Sequence, residues 1–62
     1  MSKYETREIA KLVSWHQAGA PADMIARSLS ALIRAARTNK SRAALLEYAD
    51  LFGARSNPEF II

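Results

Sequence analysis

The sequence predicts an all-α fold of three short helices, and two observations carry that expectation. Apolar residues recur at intervals of three and four along most of the chain, the period of a helix face and not of a strand. Helix-stopping signals then cut the pattern: Gly19 with Pro21, the polar run Thr38-Asn39-Lys40-Ser41, and Gly53. The segments left are helices over about residues 3–18, 22–37 and 41–52, followed by an apolar C-terminal tail.

In the first segment Ser2 is an N-cap and Glu5, three residues on, completes the capping-box spacing. Ile9, Leu12, Val13 and His16 form the apolar stripe. Lys11, Ser14 and Ala18 lie opposite, and Tyr4, Glu8 and Trp15 share one flank. Gly19 supplies the left-handed residue that ends a helix, and Pro21 prevents continuation.

The second helix opens near Ala22, with Asp23 at the positive end of its dipole. Ile25, Leu29, Leu32, Ile33 and Ala36 fall on one face. Arg27, Ser30, Arg34 and Arg37 fall on the other. Carried on at 100° per residue, this helix would place Leu45 and Phe52 roughly opposite Ile25 and Leu29. One straight helix cannot bury both sets against one neighbour. The phase therefore demands a break at Thr38–Ser41, with Asn39 or Ser41 capping a third helix.

That third helix puts Leu45, Tyr48, Ala49 and Phe52 on one face, and Leu46 and Leu51 widen it. A helix so apolar is expected to be covered from more than one direction, in so small a chain by a second subunit. Gly53 ends it. Beyond, Asn57-Pro58 marks a turn or an extended segment. Phe60, Ile61 and Ile62 are expected to pack on the monomer's core or on a partner chain.

Sixty-two residues make a single domain, 1–62, and at this size folding buries only about 60% of the surface of the unfolded chain. With no Cys and one His, neither a disulfide nor a structural zinc can assist. Self-association remains, and a two-fold homodimer is the commonest form of it. The charged start MSKYETRE lacks the apolar run of a secretory signal, and no stretch approaches the roughly 20 apolar residues that span a bilayer. A soluble, cytoplasmic protein without membrane contact is expected.

The sequence argues against an enzyme. His16 is the only side chain suited to proton transfer near neutrality, and it sits within the apolar stripe as a packed, structural histidine. No paired carboxylates, phosphate loop or metal-ligand spacing occurs, so no cofactor, metal or small-molecule substrate is expected. The net charge of +3 is concentrated instead in Arg27, Arg34, Arg37, Lys40 and Arg42, which have no carboxylate among them. Four of the five are Arg, the fork suited to phosphates. Ser30, Thr38, Asn39 and Ser41 could add hydrogen bonds to a nucleic-acid backbone. An acidic protein surface would satisfy the same charges.

The segment Ile25-Ala26-Arg27-Ser28-Leu29, after a helix ending in Ala18-Gly19-Ala20-Pro21, resembles the entry of helix-turn-helix DNA-binding domains. The resemblance covers about Ile9 to Leu29 and implies DNA binding by a small regulator. Where such domains turn after the Leu, commonly at Gly, Ser30-Ala31-Leu32-Ile33 runs on as helix. The leading expectation is thus a DNA-binding regulator acting through the basic helix and the helix junction. The alternative is a small adaptor or inhibitor, of the kind phages and mobile elements encode, that blocks a larger protein. Its interface would draw on Tyr4, Trp15, Tyr48, Phe60, Ile61 and Ile62, residue types that anchor interfaces.

Overall fold

Cap chemistry at the ends of each segment sets the helices. In the computed structural model, which describes residues 1–62, α1 spans Lys3–Gln17, α2 spans Ala22–Ala35 and α3 spans Asn39–Phe52, with a 3-10 turn at Ala54–Ser56 and no strand. At the start of α1 the Ser2 hydroxyl accepts from the Glu5 amide (3.1 Å), and the Ser2 amide donates to Glu5 Oε1 (2.8 Å). The capping box is complete. Gly53 takes φ +67° at the end of α3, the left-handed conformation that costs an L side chain about 1–2 kcal/mol.

The break between α2 and α3 falls slightly earlier than the sequence indicates. Helix α2 stops at Ala35, because Ala36 turns to extended geometry with ψ 132°. Thr38, not Asn39 or Ser41, caps α3, its hydroxyl accepting from the Ser41 amide at 3.1 Å. Arg42 reaches back across the joint. Its Nη2 donates to the Ala36 carbonyl (3.1 Å), and its Nη1 donates to Asn39 Oδ1 (3.2 Å). One of the carbonyls that the end of α2 leaves open is thereby satisfied.

The helices run up, down and up. Glu5 near the start of α1 meets Ser41 at the start of α3, and His16 near the end of α1 stacks on Phe52 at the end of α3, ring centroids 5.1 Å apart. Helix α2 lies antiparallel to both and packs against each. With its C-cap it supplies half of the core cluster: Ala26, Leu29, Leu32, Ile33 and Ala36 are buried with Ile9 and Leu12 of α1, Leu45 and Ala49 of α3, and Ala54. The radius of gyration, 10.5 Å, matches the roughly 10.6 Å of a normally packed chain of this length.

One expectation is corrected by this packing. His16 is exposed and lies at the rim against Phe52, because the stripe of α1 leaves the core in its last turn. Within the single chain Leu51 is 74% exposed, and α3 is covered on the Leu45–Ala49 side, with Leu46 half-buried. In the tail, Phe60 packs on the core while Ile61 and Ile62 stay more than half exposed.

The opposite end of the bundle, where α1 and α3 begin, holds Glu5, a carboxylate in a distinctive environment. The backbone N–H of Ser2 holds Glu5 below the usual glutamate value of 4.5, and the Ser41 and Ser2 hydroxyls act in the same direction against burial. A depressed pKa in the folded state means stability that is present above the ordinary value and lost as pH falls through the folded one. Glu5→Gln keeps an acceptor for the Ser2 amide and removes the charge. Its thermal midpoint should fall less than that of the parent chain below about pH 4.5, which melting curves across that range would show.

Candidate nucleic-acid interface

The cations of α2 and the joint divide into two groups once folded. Arg27 is taken: its Nε lies 3.1 Å from Glu59 Oε1, an ion pair closed by the tail. The tail runs alongside α2 on this face. Asn57 Nδ2 donates to Asp23 Oδ1 (2.9 Å), and the Glu59 amide is held by Asn57 Oδ1 (2.8 Å) in a local turn. Asp23, Arg27, Ser30 and Arg34 form one row along α2, and the tail occupies its first three positions.

Arg42 is also engaged, through the guanidinium that closes the end of α2. Arg34, Arg37 and Lys40 remain. All three are exposed and none is in an ion pair. They stand at the last turn of α2, within the joint and in the first turn of α3, so the joint gathers them at one end of the bundle. No acidic residue occupies the first turn of α3 to offset the positive end of its dipole.

Of the four polar side chains expected beside these cations, the two serines are buried and Thr38 and Asn39 stay exposed. Ser30 is 1% exposed, and its Oγ donates to the Ala26 carbonyl at 2.8 Å, the back-bond of a buried serine in a helix. Ser41 is buried against α1, whereas Thr38 and Asn39 use only their acceptor oxygens, toward the Ser41 amide and Arg42, and keep their O–H and NH2 donors. A phosphate at this site would therefore meet charge together with donors from Thr38 and Asn39.

The aromatic residues assigned to an interface do not form one patch. Tyr4 is 59% exposed at the start of α1. Trp15 is half-buried, with Lys11 Nζ over its ring at 5.2 Å and Lys11 itself paired to Glu8 at 2.8 Å. Tyr48 is half-buried beside Phe52, ring centroids 6.0 Å apart. Phe60, Ile61 and Ile62 belong to the tail segment beside α2.

Glu59 is the residue that sequence reasoning missed. It lies 32 positions from Arg27, beyond a turn, and no local spacing pairs the two. No three His, Asp or Glu side chains converge where a metal ion could sit, and no helix is long and apolar enough to cross a membrane. No protein-family model matches this chain, and no curated protein or solved structure is significantly similar to it.

Proposed function

We propose that this protein is a small, non-enzymatic regulator that binds DNA by its phosphate backbone at the α2–α3 joint. The observation that supports this is the group Arg34, Arg37 and Lys40: exposed, unpaired and gathered at the N-terminal end of α3. Anions are favoured at such an end, and Arg forks suit phosphates. Base reading is a lesser part of the proposal, because the exposed face of α3 carries Glu47 and Asp50, carboxylates that phosphates repel.

Neutralising three phosphates gives a log–log dependence of affinity on salt with a slope near −2.7, the product of about −0.9 and three contacts. Fluorescence anisotropy with a labelled duplex over a range of salt concentrations measures it. Absence of binding at low ionic strength would sink the proposal.

The same reading has the protein working as a two-fold dimer. Leu51, 74% exposed beside half-buried Tyr48 and Phe52, leaves an apolar strip on α3 that a second copy would cover. Light scattering should give twice the 6.9 kDa chain mass, and Leu51→Glu should return the monomer. A monomer at high concentration in the parent chain would refute the dimer without touching the DNA proposal.

A further inference from the structure

The cleft between the start of α1 and the α2–α3 joint differs in kind from the rest of the surface. Its volume is about 690 Å³, within the 300–1,000 Å³ common for binding sites. Its apolar lining comes from Met1, Tyr4, Leu32 and Ala35, drawn from both sides of the α1–α2 seam at one end of the bundle. Leu32 is the buried floor, whereas Tyr4 at 59% and Met1 at 46% are open walls. Arg37 and Lys40 stand on its border without ion-pair partners. Glu5 is the single carboxylate in the lining, and its Oε1 already accepts from the Ser2 amide. The charged side chains of the lining are thus net positive.

We infer that this cleft is a docking site for a segment of a partner protein that presents apolar side chains followed by carboxylates. Charge complementarity fixes the acidic part: Arg37 and Lys40 are cations with nothing to pair with in the chain itself. The apolar lining fixes the rest, since a phosphate backbone has no group to place over Leu32 and Ala35. The openness of the Tyr4 and Met1 walls favours a peptide over a small molecule, because small-ligand sites enclose about 70–90% of their occupant. Apolar anchors would enter the seam beside Tyr4, and carboxylates would meet Arg37 and Lys40. These two cations also belong to the proposed DNA surface, so the two ligands compete. Arg34 serves DNA alone, and Tyr4 and Ala35 serve the cleft alone.

The test uses the isotope-labelled full chain and a capped peptide of leucines followed by aspartates, with a leucine–lysine peptide as its counterpart. Expected are saturable shifts of the Leu32 and Ala35 methyl and Tyr4 ring signals with the aspartate peptide, and none with the lysine peptide. Ala35→Glu, at an exposed position, places a like charge in the cleft and should weaken binding about tenfold or more. Tyr4→Ala should weaken peptide binding and leave DNA affinity unchanged, while Arg34→Ala should do the reverse. Circular dichroism confirms that each variant is folded. The inference is overturned if no saturable shift occurs, if the lysine peptide matches the aspartate peptide, or if Ala35→Glu has no effect. Decanoate saturating the cleft with equal affinity would identify a small amphiphilic anion instead. Shifts that grow with protein concentration alone would identify a second copy, and either result overturns the peptide assignment.

Discussion

Leu29→Ala is expected to abolish cooperative folding or bring the chain to its edge. Leu29 is fully buried near the middle of α2, the helix that packs against both others. Truncating such a leucine costs about 2–5 kcal/mol, the lost transfer energy together with the cavity left behind. A chain of this length has a total stability of about 3–9 kcal/mol, at 0.05–0.15 kcal/mol per residue. The cost therefore approaches the whole. Urea titration followed by far-ultraviolet circular dichroism should show a broad or absent transition. Ser14→Ala, at an exposed position of α1 away from the core, should stay within about 0.5 kcal/mol of the parent. A parent-like midpoint for Leu29→Ala would mean that α2 is not the centre of the core.

Replacing Arg34, Arg37 and Lys40 together by Ala should remove DNA binding almost entirely. Each phosphate contact contributes about 0.9 to the salt slope, so the triple variant loses about 2.7 and keeps a slope near zero. The other two cations separate charge from position. Arg27→Ala should change the slope little, because Glu59 already neutralises that guanidinium at 3.1 Å. Glu59→Gln frees Arg27 and should steepen the slope by up to about 0.9. Arg42→Ala should show in stability before it shows in binding, since its guanidinium satisfies the Ala36 carbonyl. Equal losses from Arg27→Ala and Arg34→Ala would show that the tail does not shield α2.

What the sequence reveals here is chemistry that acts within about four residues. Ser2 with Glu5, Gly19 with Pro21, and Gly53 each end or begin a helix through contacts made on the spot, and each does so in the structure. The break after α2 was also readable, because helical phase forbids Leu29 and Leu45 from sharing one straight face. Its position was not. Thr38, Asn39 and Ser41 are all good caps, and Thr38 caps α3 while Arg42 closes the end of α2 at Ala36.

The candidate site was readable to a smaller extent. Helical periodicity puts Arg27, Ser30 and Arg34 on a common side, but it carries no information about a tail that docks there from 29 to 34 positions away. That contact withdraws Arg27 and buries Ser30. Arg34, Arg37 and Lys40 keep their exposure because the joint turns the chain away at their positions. The cleft beside them was invisible for a similar reason. Tyr4 and Leu32 meet only after α1 and α2 have packed.

The docking of the tail on α2 also bears on the order in which the molecule assembles. Each helix packs against its neighbour along the chain, so the bundle closes through short loops and carries a small entropy of closure. The Asn57–Asp23 and Glu59–Arg27 contacts span more than half the chain and are mostly exposed. They are expected to form after the bundle and to open before it. Amide hydrogen exchange at Glu59 and Phe60 should then be fast beside that of Leu29 and Leu45, with the tail a separate unit of low local stability on an otherwise cooperative fold.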